Sequence, residues 1–145
     1  MTCTFFGHRQ IHNLDEVRIK LFDTLSDLIK NRGIRKFLVG NNGAFDKAVL
    51  RVLRELAKIY DIDYIVVRAY INKKDEYDDI KPYESVYPEV LEKTPLRFSI
   101  DKQNRFMIKM SEIVITYIEN PFGGAGKYAE VCEKRNMEII RLGKF

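Results

Sequence analysis

Two largely apolar runs, DYIVVRAYI at 63–71 and EIVITYI at 112–118, limit the folds that this chain can adopt. Both are rich in β-branched residues and lack polar alternation, which is typical of strands buried on both faces of a parallel sheet. Shorter apolar segments predict further strands at 3–6, 36–40 and 137–142. Helical spacing of apolar residues predicts helices between the strands, at 13–32, 45–60, 101–110 and 125–135.

This order of elements predicts an α/β protein with a Rossmann-like open parallel sheet of about five strands and helices on both faces. With 145 residues, the chain is expected to form a single domain spanning 1–145. The first helix has recognisable ends. Asn13 can cap its start, Glu16 completes a capping-box pattern three residues later, and Gly33 is a natural stop.

The region at about 72–100 is expected to be an irregular insert. It contains three prolines and shows no apolar period. Loops of this length are often functional lids or binding loops. Its tyrosines can either stack on a base or pack within the loop itself. These tyrosines are Tyr77, Tyr83 and Tyr87.

Composition describes an ordinary soluble protein, with 46% hydrophobic and 32% charged residues. There is no apolar run of about 20 residues and no signal-peptide pattern before the first strand, so no membrane partner is expected. Cys3 and Cys132 lack metal-ligand spacing, which favours reduced thiols in a cytoplasmic protein. The net charge of +4 favours anionic partners, but the basic residues are scattered among acids. A small anionic ligand is therefore favoured over nucleic acid, and no metal or resident cofactor is expected.

Three glycine-containing loops follow predicted strands, at 7–9 (GHR), 40–43 (GNNG) and 123–126 (GGAG). The carboxyl ends of parallel strands meet at one edge of a sheet, where ligands bind in such folds. The second and third loops open helices, whose unpaired N–H groups and dipole favour phosphate. Glycine allows close approach of the backbone, and Arg9 can pair with phosphate. Neither a Walker motif nor a G-x-G-x-x-G fingerprint is present, so the loops predict a phosphate-bearing ligand without naming it.

Four segments in this order resemble the SLOG superfamily, and more narrowly its small single-domain members related to the YpsA group. They are TFFGHR (4–9), VGNNGAFD (39–46), RFSIDKQNRFMI (97–108) and VITYIENPFGGAGKYAE (114–130). The superfamily includes the LOG phosphoribohydrolases, the DNA-processing DprA proteins and sensor domains for nucleotide or NAD-derived signals. The resemblance implies a Rossmann-like sheet with a nucleotide-type pocket and a homodimer or higher homo-oligomer.

The LOG motif P-G-G-x-G-T-x-x-E is matched in spacing by three glycines and Glu130. The resemblance implies that the glycines hold phosphate and that Glu130 contacts a ribose or assists catalysis. Phe122 stands in place of the motif's proline, and Lys127 in place of its threonine. An ammonium group changes the ligand chemistry but still favours an anion. The second-strand motif is also shorter than in LOG enzymes, which argues against hydrolase activity.

We therefore expect a domain that binds a nucleotide or an NAD/ADP-ribose-derived molecule, as a sensor or a sequestering protein. One alternative is a LOG-like phosphoribohydrolase or nucleoside N-glycosidase that uses Glu130 with Arg105 or Arg9 as catalytic residues. Another is a DprA-like binder of single-stranded nucleic acid. Asp46 can either orient its loop or bind a ribose, and His8 can cap a strand end or stack on a base. The expected ligand-binding residues are Gly7, His8, Arg9, Gly40, Asn41, Gly43, Asp46, Asn104, Tyr117, Gly123, Gly124, Ala125, Gly126, Lys127 and Glu130.

Overall fold

The computed structural model of the chain describes residues 1–70 and 80–145. Its centre is a parallel sheet of six strands in the order β4-β3-β2-β1-β5-β6. The strands are β1 (Thr2–Gly7), β2 (Lys36–Val39), β3 (Asp63–Val67), β4 (Ser85–Val86), β5 (Ile113–Tyr117) and β6 (Glu138–Arg141). The predicted open parallel α/β sheet is confirmed, with one strand more than expected.

Helices cover both faces of this sheet, as predicted. They are α1 (Leu14–Arg32), α2 (Ala44–Ala57), α3 (Glu89–Glu92), α4 (Ser99–Lys109) and α5 (Gly124–Lys134). Successive strand residues point to opposite faces. Phe5 therefore packs in one core cluster with α1 and α2, whereas Phe6 packs in the other with side chains of α4 and α5. All five residues of β5 are buried, as its apolar run predicts.

The start of α1 differs from the expected capping box. No side-chain hydrogen bond caps the helix. The Asn13 Oδ1 atom instead accepts a hydrogen bond from the Tyr117 hydroxyl at 3.0 Å, and its Nδ2 donates to Glu16 at 3.2 Å. The Asn13 oxygen is therefore used to join α1 to the end of β5. At the other end Gly33, with φ of 66°, terminates the helix as predicted.

The described part of the expected irregular insert contains short regular elements. Residues 71–79, including Tyr77, lie outside the described part of the chain. After them come a 3-10 turn (Pro82–Glu84), β4, α3 and a second 3-10 turn (Leu96–Phe98). Glu84 fastens the first turn to the sheet, since its carboxylate accepts hydrogen bonds from Arg54, Tyr64 and the Lys81 N–H. This anchor brings Ser85 alongside Val66 in the sheet.

Both cysteines are buried free thiols. Among the described helices, none is long and apolar enough to cross a bilayer.

Candidate functional site

A cavity of about 320 Å³ lies at the carboxyl end of β1. The chain runs outward from β1 through β2 and β3 to β4, and then returns to β5 on the other side of β1. Strand order therefore reverses between β1 and β5, and ligands of open α/β sheets bind near such a reversal. The cavity is lined by Phe5, Phe6, Gly7, His8, Arg9, Asn42, Gly43, Asp46, Ile100, Asn104, Met107, Gly124, Ala125, Lys127 and Tyr128.

Two cationic side chains lie at this cavity. Within residues 1–70 and 80–145, the Arg9 guanidinium makes no hydrogen bond and no ion pair. The Lys127 ammonium is 3.5 Å from Asp101 Oδ1. Asp101 also accepts hydrogen bonds from the Tyr128 hydroxyl at 2.8 Å and from Arg105 Nε at 3.0 Å. Because Lys127 shares this carboxylate with two other donors, its positive charge remains available to an anion in the cavity.

Glycines around the cavity fall into two groups. A Cβ atom on Gly7 would lie 2.3 Å from the Phe45 ring, and one on Gly126 would lie 2.2 Å from the Pro121 carbonyl oxygen. These glycines are needed for packing. Among the described residues, a Cβ on Gly123 or Gly124 would meet nothing within 4 Å, and the φ of Gly123, −93°, is open to any residue. Packing does not explain these two glycines, whose bare backbone faces open space.

Asp46 places a carboxylate at the cavity wall. Its Oδ2 atom accepts a hydrogen bond from the Asn42 N–H at 2.9 Å. Burial raises the pKa of Asp46 to about 6, although the Asn42 N–H and the charge of Arg9 act in the opposite direction. Asp46 therefore changes charge close to neutral pH, a property often found at functional sites. Both expected roles, orienting its loop and contacting a ligand, are compatible with this position.

The fully buried Gln103 connects Asp46's loop to the sheet, and sequence reasoning did not identify it. Its Nε2 atom donates to the Val67 carbonyl at 2.5 Å, and its Oε1 accepts from Asn42 Nδ2 at 2.7 Å. Gly40 lies beneath this polar cluster. A Cβ there would come within 3.0 Å of the Asp46 carboxylate and 3.3 Å of the Gln103 amide. Gly40 is buried and supports the cluster without lining the cavity.

His8 holds the loop between β5 and α5. Its Nε2 atom accepts hydrogen bonds from the backbone N–H groups of Glu119 at 2.7 Å and Asn120 at 3.4 Å. Nε2 must be unprotonated to accept them. The His8 ring also stands edge-on to the buried Tyr117, with centroids 5.9 Å apart. Tyr117 lies behind His8 and does not line the cavity.

Several predicted site residues lie away from the cavity. Glu130 is exposed on α5, and it is not among the lining residues. At 3.6 residues per turn, it lies roughly 140° around the helix from the centre of the face that carries the lining residues Gly124, Ala125, Lys127 and Tyr128, although only about 60° from Lys127 itself. Arg105 is exposed and paired with Asp101, and Asn41 is exposed outside the lining set. Gly126 is packed against Pro121.

The insert tyrosines within the described chain do not reach this cavity either. Tyr83 is 80% exposed, and the Tyr87 hydroxyl donates to the Leu91 carbonyl at 3.0 Å. Neither residue lines the cavity.

Other lining residues were missed although their spacing carries a signal. Ile100 and Met107 lie at helical intervals from Asn104, which was predicted and does line the cavity from α4, and Tyr128 lies one turn after Gly124 on α5. Tyr128 also stacks on Phe6, with centroids 5.4 Å apart. Asn42 lines the cavity, whereas its predicted neighbour Asn41 does not.

Comparison of the sequence with models of known protein families gives no match, and comparison with curated proteins gives none either. The resemblance to the SLOG superfamily therefore remains a prediction.

Proposed function

We propose that the cavity binds the phosphate of a nucleotide or of an NAD/ADP-ribose-derived molecule, as a sensor or sequestering domain. The observation that carries the proposal is the pair Gly123 and Gly124. Neither packing nor backbone conformation requires glycine there, and Gly124 lines the cavity. A bare backbone that faces open space at a cavity is suited to a ligand that approaches closer than a side chain would allow.

The charges around the cavity support an anion. Gly124 is the first residue of α5, so the N–H groups of its first turn have no partner within the helix. The helix dipole adds a partial positive charge at this end. Arg9, in the loop after β1, and Lys127, in the first turn of α5, contribute two cations. Ionised Asp46 opposes them, and because its pKa is about 6 this opposition weakens as the pH falls toward 6.

The test uses Gly124→Val and measures the rise in unfolding temperature that AMP, ADP-ribose or NAD causes. A Cβ at position 124 meets nothing, so the free variant should unfold close to the wild-type temperature. Its branched side chain would occupy the space that the phosphate needs, so stabilisation by the ligand should be lost.

Glu89→Val is the matched control, because it puts valine at the first position of α3, whose residues do not line the cavity. It should retain full stabilisation by the ligand. Unchanged stabilisation of Gly124→Val would reject the phosphate site.

Asp46 favours a second candidate, hydrolysis of an N-glycosidic bond in a nucleotide. Protonated Asp46 can donate its proton to the departing base while water adds to the anomeric carbon and gives up one proton to solvent, from which Asp46 is protonated again. Base release from AMP, NAD or ADP-ribose should then be lost in Asp46→Asn and retained in Glu130→Gln, since Glu130 is exposed and outside the cavity. If base release were lost in Glu130→Gln alone, the catalytic role that the motif implies for Glu130 would be favoured. If wild type released no base, the hydrolase function would be rejected and the binding function would stand.

A further inference from the structure

A second cleft, of about 410 Å³, opens beside the cavity. It lies between the loop that follows β1 and the loop that follows β5, the two strands that flank the reversal of strand order. Its main polar lining residues are His8, His12, Asn13, Tyr117, Glu119 and Asn120. Each space alone lies near the lower end of the volumes typical of small-molecule sites, about 300–1,000 Å³.

The two spaces differ in charge. The cavity has Arg9 and Lys127 among its lining residues, whereas the described residues that line the cleft include no lysine and no arginine. The cleft instead contains the Glu119 carboxylate. Burial raises the pKa of Tyr117, the hydrogen bond to Asn13 opposes this rise, and the charge of Glu119 adds to it. A phosphate would be repelled from this cleft, whereas uncharged groups that donate hydrogen bonds would be favoured.

The cavity and the cleft meet along the glycine-rich loop. Gly124 lines the cavity and Gly123 lines the cleft, so consecutive residues belong to the two spaces. A Cβ on either one would meet no described residue within 4 Å. His8 lines both spaces and holds this loop through the Glu119 N–H. An elongated ligand can therefore cross the backbone of Gly123 and Gly124 without meeting a side chain.

We propose that the cleft holds the nucleoside end of a ligand whose phosphate lies in the cavity, so that the ligand is a nucleoside diphosphate or an extended derivative of one. The proposal rests on the proposed function. Glu119 accepts hydrogen bonds from sugar hydroxyl groups. The His12 imidazole, which makes no hydrogen bond or ion pair within the described chain, is free to stack on or donate to the base.

The test compares pyrophosphate with ADP by isothermal titration calorimetry on wild type, Glu119→Gln and Lys127→Ala. ADP should bind more tightly than pyrophosphate to wild type, because only ADP reaches the cleft. Glu119→Gln should weaken ADP about tenfold, through loss of a charged hydrogen bond, and leave pyrophosphate unchanged. Lys127→Ala should weaken both probes. Glu92→Gln removes a carboxylate from α3, which does not line either space, and should change neither affinity.

The outcomes separate the two proposals. If Lys127→Ala weakens both probes while Glu119→Gln affects neither, or both equally, the phosphate site stands and the nucleoside cleft is rejected. If neither probe binds wild type, the proposed function fails together with this inference. Glu119 is exposed, and Glu119→Gln keeps the backbone N–H that donates a hydrogen bond to His8. We therefore expect this variant to fold, so that its affinities can be compared with those of wild type.

Discussion

Glu84 is a buried carboxylate and Asp46, in another region of the molecule, is a half-buried one, and the surroundings of these two groups differ in kind. Glu84, under the described end of the insert, accepts hydrogen bonds from Arg54, Tyr64 and the Lys81 N–H. The hydrogen bonds from Arg54 are the main cause that lowers the pKa of Glu84 to about 2, against the effect of burial. Asp46 accepts one hydrogen bond, from the Asn42 N–H, and burial raises its pKa to about 6.

The difference separates a structural group from a candidate functional one. A carboxylate that is surrounded by donors holds elements together and stays ionised. One that is left with few donors at a cavity wall is costly to ionise, so its position is better explained by what the cavity binds. The predictions below test this distinction.

The largest effect is expected for Glu84→Ala. It leaves the Arg54 side chain, only 25% exposed, without the carboxylate that pairs with its Nε and Nη2 atoms. Breaking such a pair from one side should lower the free energy of unfolding by about 2–4 kcal/mol in urea denaturation. The loss should be greater than for Arg54→Met combined with Glu84→Leu, which removes both charges.

Glu92→Ala serves as the control, because Glu92 is exposed on α3. It should change the free energy of unfolding by no more than about 0.5 kcal/mol. If Glu84→Ala lowered the free energy of unfolding by an equally small amount, the hydrogen bonds of Glu84 would contribute no more than a surface ion pair. The distinction between Glu84 and Asp46 would then not hold.

These regions also differ in how far the sequence predicts them. The sheet was predictable because strands such as β5 must be apolar throughout to be buried on both faces. β4 was not, since Ser85 and Val86 are too short to show a period and are placed by the neighbouring Glu84 anchor. At the cavity, motif spacing gave the position of Glu130 in the sequence but not its direction. Glu130 lies on a face of α5 that does not line the cavity.

Long-range polar contacts were beyond prediction for a different reason. Gln103 on α4 bonds to β3 and to the loop after β2, and those partners are 36 and 61 residues away in sequence. A glutamine in an amphipathic helix is usually a solvent-facing residue, so its type carries no signal of this contact. By contrast, Arg9 and Lys127 follow directly from the rule that loops after parallel strands meet at one edge.

The second prediction concerns the pH dependence of stability in Asp46→Asn. The folded-state pKa of Asp46 is raised from 3.8 to about 6, so its stabilising contribution is complete below pH 3.8 and is lost as the pH rises through 6. The asparagine variant avoids this loss. It should be more stable than wild type by about 1–3 kcal/mol at pH 8 and close to wild type at pH 4, as measured by urea denaturation at both values.

Glu84→Gln is the matched comparison, with the opposite sign. Because the pKa of Glu84 is lowered from 4.5 to about 2, its contribution is present above pH 4.5 and is lost as the pH falls toward 2. The glutamine variant should therefore differ most from wild type at neutral pH, where it should be less stable. If Asp46→Asn were less stable than wild type at pH 8, the ionised carboxylate of Asp46 would support the fold, as that of Glu84 does.

The smallest effect is expected in anion binding, and it addresses directly what Asp46 does at the cavity. Sulfate suits this measurement because its charge is constant between pH 5 and 8. At pH 8 ionised Asp46 repels an anion held by Arg9 and Lys127, so Asp46→Asn should bind sulfate about threefold to tenfold more tightly than wild type at low salt. At pH 5 wild-type Asp46 is mostly neutral, and the two proteins should bind sulfate with equal affinity.

The affinities for sulfate are measured by calorimetry at both pH values, and Glu130→Gln serves as the control because this carboxylate lies outside the cavity lining. Weaker sulfate binding by Asp46→Asn at both values would mean that Asp46 acts by orienting the Asn42 N–H and its loop, so that its role, like that of Glu84, is structural.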